Sequence, residues 1–126
     1  MRRILRRTFA SVFVLPALLA GCDVTDPEAC TAEIRYGIVV EVYNLADGRP
    51  IVDGLAGLLR EGEYAEEMSV NENLVQGAPE RAGTYDLTIT AEGYETLRQN
   101  GISVRENECH VETRTLTAEL TPIPLG

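Results

Sequence analysis

Gly83-Thr-Tyr-Asp-Leu-Thr-Ile-Thr90 alternates without a break, with Tyr85, Leu87 and Ile89 on one side and Thr84, Asp86, Thr88 and Thr90 on the other. Successive side chains of a strand point to opposite faces, so this run is a strand with one buried and one wet face. Glu92-Gly93 turns the chain into a second run, Tyr94–Val104, in which Asn100-Gly101 marks a bend or bulge. Upstream, Ile34, Tyr36, Ile38, Val40 and Val42 share one face of a strand that stops at Asn44 and the turn Ala46-Asp47-Gly48-Arg49-Pro50.

The other segments fit the same period of two. Ile51–Leu59 is a weaker strand, with Leu55, Gly57 and Leu59 on one parity and Ala56, Leu58 and Arg60 on the other. Tyr64–Val70 reads as an acidic edge strand, since charge there discourages pairing between molecules. Leu74-Val75 is a short segment between turn signals. The last run, Cys109–Leu120, starts with Cys109 and Val111 inward and ends with Leu116, Ala118 and Leu120 on the other parity, which predicts a bulge near Arg114. Nowhere is there an apolar helical stripe of ten residues or more. Six or seven short strands in about 95 residues indicate an all-β sandwich of about seven strands, with Val40, Val42, Tyr85, Leu87 and Ile89 in one core.

The stretch Gly83-Thr84-Tyr85-x-Leu87-x-Ile89-x-Ala91-x-Gly93-Tyr94 resembles the core motif of carboxypeptidase regulatory-like domains. Val40-x-Val42 followed by Asp47-Gly48-x-Pro50-Ile51 is similar to that family's first hairpin. The likeness spans roughly residues 34–120. It implies a prealbumin-like Greek-key sandwich, with Gly83 and Gly93 serving turns and Tyr85 and Tyr94 serving packing. Such domains are accessory modules in exported bacterial proteins.

The N-terminus points the same way. Met1–Arg7 carries four Arg, and Phe9–Ala20 is an apolar run of twelve residues. A membrane-spanning helix needs about 20, so this run has the length of a secretory signal core. It ends in Leu19-Ala20-Gly21-Cys22, which resembles the lipobox of bacterial lipoproteins at all four positions. That resemblance implies a signal peptide at 1–21, lipidation of Cys22 with palmitate-type acyl chains, a tether over 22–31 and the sandwich over 32–126. The expected location is extracytoplasmic, on the bacterial cell membrane or the outer membrane. Asp23 resembles the inner-membrane retention signal of enteric lipoproteins. Without residues 1–21, seven Arg stand against 20 acids, a net charge of −13. Nucleic acid and anionic lipid surfaces are poor partners for such a chain.

With Cys22 lipidated, Cys30 and Cys109 remain. An even pair in an exported domain reads as a disulfide. The alternative is a metal site made with His110, which has only three soft ligands. A disulfide places the starts of the first and last runs together and makes those two strands parallel.

Catalytic chemistry has little to stand on. His110 is the only histidine, read as an exposed strand residue whose face Glu112 could share; a hydrolase would centre there. Ser69 and Ser103 lie outside any nucleophile motif, and there is no Lys and no phosphate loop. Glu61, Glu63, Glu66 and Glu67 are candidate Ca²⁺ ligands for an adhesion module but lack the spacing of a calcium loop. Tyr43 and Tyr64 are the candidates for a carbohydrate platform. The reading is therefore a non-catalytic, lipid-anchored module, without cofactor or metal, that presents loops such as 45–50, 71–82 and 105–108 to an envelope protein or polymer.

Overall fold

The computed structural model describes residues 30–125; the signal segment and Cys22 lie outside them. Eight strands run in chain order: β1 Tyr36–Asn44, β2 Ala56–Glu61, β3 Tyr64–Glu67, β4 Ser69–Asn71, β5 Leu74–Pro79, β6 Gly83–Thr90, β7 Leu97–Val104 and β8 Arg114–Leu120. They form two four-stranded sheets, ordered β4-β5-β1-β8 and β3-β2-β6-β7, and the described residues contain no helix. Every ladder is antiparallel except β1–β8, which is parallel over Ile38–Asn44.

The core lies between the sheets. Ile38, Val40 and Val42 of β1 meet Leu59 of β2, Val75 of β5 and Tyr85, Leu87 and Ile89 of β6, all essentially without solvent contact. The alternation of β6 and the second half of β1 thus chose the buried face, as their sequence implied. At Asn100-Gly101 the β6–β7 register slips by one residue, and Gly101 N–H donates to Asp86 Oδ1 at 3.1 Å. That is the expected bulge.

The strands number eight rather than about seven, because the acidic run is two strands. Met68 breaks it: its side chain is buried and its N–H donates to Gly57 O at 2.9 Å, so β3 stays in one sheet and β4 joins the other. The sulfur and its stem fill a gap flanked by two glycines. A Cβ at Gly57 would stand 2.5 Å from Val75 and 2.8 Å from Met68 Sδ, and one at Gly77 would stand 2.7 Å from Leu59. The short Leu74-Val75 segment is in fact the start of β5, paired on both sides by β4 and β1. Its weak pattern has a cause, since Gly77 replaces a core side chain where the facing sheet comes close.

Three strands are shorter than the sequence alternation implies. Ile34 is 66% exposed, outside the β1 face. Ile51–Leu55 precede β2, although Ile51 is buried and hydrogen-bonds Val42 O. Tyr94 bridges Pro122 and lies ahead of β7. The strand direction sorts the loops into two ends. Residues 45–55, 71–73 and 91–96 lie at one; residues 30–35, 61–63, 79–82 and 105–113 lie at the other.

Candidate functional site

The second end is tied by the Cys30–Cys109 disulfide, whose Cα atoms are 5.0 Å apart. The cysteines do not open strands: β8 begins at Arg114, and residues 109–113 form a loop with one bridge, Glu106 to Val111. Asn107 creates that loop. Its Oδ1 accepts the N–H groups of Cys109 and His110, both at 2.9 Å, and its own N–H donates to His110 O at 2.9 Å. An Asn side chain that bonds the backbone two residues on is an Asx-turn, which competes with a sheet ladder. Strand alternation is lost, so His110 and Val111 are both buried.

His110 is therefore not an exposed strand residue; it is 9% exposed and engaged at both ring nitrogens. Nδ1 lies 2.6 Å from Glu80 Oε1, and Nε2 lies 3.0 Å from Thr31 Oγ1. Glu80 also accepts Arg35 N–H at 2.8 Å and Val111 N–H at 3.3 Å. The Arg35 amide, then the His110 hydrogen bond, hold the Glu80 carboxyl below the usual carboxylate range. An ionised carboxylate only accepts, so Nδ1 carries the proton, and in the neutral ring Nε2 accepts from the Thr31 hydroxyl. Three chain segments thus meet at one imidazole: the entry at 30–35, the turn after β5 and the 105–113 loop.

The cluster lines an open depression of about 390 Å³ together with Glu33, Ile34, Glu106 and Glu108, and Thr31 and His110 also line a second of about 500 Å³ with Arg35 and Glu108. Chemically, hydroxyl, imidazole and carboxylate stand in the order of a nucleophile, a base and its orienting acid. Glu112, the anticipated partner, is exposed and takes no part in this line. Sequence spacing missed Thr31 and Glu80, which lie 79 and 30 positions from His110. Asn107, two residues before Cys109, is the one local signal that could have warned of a turn.

The four acids considered for Ca²⁺ do not converge. Glu61 accepts Thr84 N–H and binds Arg81 at 3.1 Å, while both oxygens of Glu66 accept Ala78 N–H and one accepts Tyr64 OH. Glu63 and Glu67 point to solvent. Among the described residues no three His, Cys, Asp or Glu are grouped to hold a metal ion. The disulfide likewise removes Cys30 and Cys109 from any metal site.

The Tyr64 ring is no free platform either, because the Arg81 guanidinium stacks 3.6 Å from its centroid. Arg81 Nη1 donates to Tyr85 OH at 2.8 Å, and that hydroxyl donates to Arg81 O at 2.8 Å. Burial raises the Tyr85 pKa, and the Glu66 hydrogen bond raises that of Tyr64. Tyr43 is half-buried, with its hydroxyl on Glu41. No protein-family model and no curated protein matches this chain.

Proposed function

We propose that this chain is a lipid-anchored, extracytoplasmic module: Cys22 carries acyl chains, and a prealbumin-like Greek-key sandwich akin to carboxypeptidase regulatory-like domains is held at the membrane surface. The observation that carries the reading is the Cys30–Cys109 bond. A closed cysteine pair fits an exported chain. It also bolts the domain covalently to a point eight residues after Cys22, a length that reaches at most about 28 Å. The parallel β1–β8 pair in an otherwise antiparallel sandwich supports the topology, as does the Tyr85 hydroxyl, bonded to the backbone four residues upstream as in Greek-key tyrosine corners.

The role that follows is binding or structural, toward an envelope protein or polymer. The end away from Cys30 exposes Leu45, Val52 and Ile123 on loops, with Asp47 and Asp53 beside them in sequence. Its partner is apolar at the centre and basic at the rim. Mass spectrometry of membrane-extracted protein should find a chain beginning at Cys22 with acyl mass added, and Cys22→Ser should move it to the soluble fraction. Unchanged membrane attachment of Cys22→Ser would overturn the anchor.

One observation favours a second reading. The Thr31–His110–Glu80 line has the connectivity of an acyl-transfer triad, Oγ to Nε2 and Nδ1 to carboxylate. In a hydrolase, Thr31 Oγ would attack an ester carbonyl while His110 takes its proton and hands it to the alcohol that leaves as the ester C–O bond breaks. Water, deprotonated by His110, would then cleave the acyl–Thr31 ester, releasing the acid and returning the proton to Thr31. Against this stands the Glu80 carboxylate, which is equally a clamp for two backbone amides. Ester hydrolysis by the full chain that disappears in both Thr31→Ala and His110→Ala would favour the enzyme. Activity absent from the wild type keeps the cluster a latch.

A further inference from the structure

The bulge in β7 is made by Asn100-Gly101. Tyr85 faces Ile102 and Leu87 faces Gln99, so Asp86 alone stands opposite both residues of the pair. The Gly101 N–H donates to a side chain, Asp86 Oδ1, at 3.1 Å. β7 is an edge strand, and Asp86, Asn100 and Gly101 are all exposed. Gly101 stands at φ 71°, and nothing lies within 4 Å of the place a Cβ would take. The Asn100 amide has no hydrogen-bond partner among the described residues. The chain has five Asn, and only this one precedes Gly. The side chains of Asn44, Asn73 and Asn107 are held by hydrogen bonds to the chain around them, and Asn71 is followed by Glu72.

We infer that Asn100 is a self-modification site, converted by its own backbone to aspartate or isoaspartate at a rate that Asp86 restrains. The Gly101 nitrogen gives its proton to hydroxide and attacks Asn100 Cγ. The Cγ–Nδ2 bond breaks, and ammonia leaves with a proton from water. One water then opens the five-membered imide. Cleavage at Cγ gives aspartate, and cleavage at the backbone carbonyl gives isoaspartate. The sum is one water consumed and one ammonia released, with no change of oxidation state. Ring closure requires the peptide plane between Asn100 and Gly101 to turn, and glycine alone passes between positive and negative φ without steric cost. That plane is held by the N–H bond to Asp86, and a carboxylate acceptor makes such a bond roughly twice as strong as a neutral one. Asp86 is therefore a positioning residue that keeps the nitrogen away from Cγ. The product sets a second carboxylate beside Asp86, and charge on an edge strand discourages pairing with other molecules.

The test holds the detergent-solubilised full chain for weeks at neutral pH and body temperature and follows it by peptide mapping with mass spectrometry. Residue 100 should gain the one-dalton difference between an amide and an acid, and its peptide should split into an aspartate and an isoaspartate form. Asn44, Asn71, Asn73 and Asn107 should stay unchanged. Asp86→Ala should speed the conversion several-fold at an unchanged melting temperature. Asp86→Asn, whose amide oxygen still accepts the Gly101 N–H, should stay close to the wild-type rate. Residue 100 found intact when the urea-unfolded chain has fully converted would overturn the site. A rate indifferent to Asp86→Ala would overturn the restraint. So would rates that follow the melting temperatures of the two variants instead of the acceptor at residue 86.

Discussion

Glu80 stands at φ 49°, a left-handed conformation that costs a residue with a Cβ about 1–2 kcal/mol. Its carboxylate offsets that cost through the Arg35 and Val111 amides and the His110 ring. Because its pKa is lowered in the folded state, the stabilisation is full above the usual carboxylate range and is lost as pH falls through the depressed value. Melting temperature followed from neutral pH into acid should therefore drop for the wild type and fall less steeply in Glu80→Gln, which starts lower. Parallel curves would exclude the linkage. Tyr85 behaves oppositely: burial raises its pKa, so its contribution holds below the usual tyrosine range and fails as pH rises through the raised value. Tyr85→Phe should cost about 1–2 kcal/mol in denaturant unfolding, since Arg81 O and the guanidinium lose a buried partner. None of this was legible in the sequence. His110, Glu80 and Thr31 carry no mutual spacing signal; the fold alone brings them together.

Two hairpins make a natural comparison at the scale of elements. Between β2 and β3 the first turn residue is Gly62 at φ 56°; between β4 and β5 it is Glu72 at φ 54°. The geometry is shared, but only the first turn has the residue that adopts it without steric cost. Glu72→Gly should therefore raise stability by roughly 0.5–1 kcal/mol, measured as a higher denaturant midpoint at unchanged slope. A lowered midpoint would mean that the Glu72 side chain holds the turn by itself. In β6 the alternation is the whole story, and Leu87→Ala should cost about 2–5 kcal/mol; a change below about 0.5 kcal/mol would put Leu87 on the wrong face. Strands whose side chains alternate cleanly, such as β1 and β6, were readable in advance. β5 was not, because Gly77 gives up a core side chain to the close approach of Leu59 and Met68. Nor was the start of β8, because Asn107 draws Cys109 and His110 into a turn that residue-by-residue parity takes for a strand.

For the molecule as a whole, the decisive contact is between its ends. The parallel β1–β8 pair and the Cys30–Cys109 bond join residues nearly 80 positions apart, so the last strand completes the sheet that the first begins. Contacts of such range are costly to form from an open chain, because loop closure must precede them. A bond that closes the loop in advance removes up to roughly 4 kcal/mol of that entropy from the unfolded state. The Cys30→Ser, Cys109→Ser double variant should thus melt lower by as much as roughly 15–30 °C, read by circular dichroism on the full chain in detergent. A drop of only a few degrees would mean that the β1–β8 ladder holds the ends together unaided. The latch beside the bond separates the two cases further. Thr31 follows Cys30 directly, so with the disulfide gone its hydrogen bond to His110 remains to hold the start of the entry segment, whose other end Arg35 and Glu80 fasten through two backbone amides. Adding His110→Ala to the double variant should therefore cost more than the same change in the oxidised protein, a coupling visible as non-additivity in a mutant cycle. Additive costs would place the disulfide and the imidazole in independent roles.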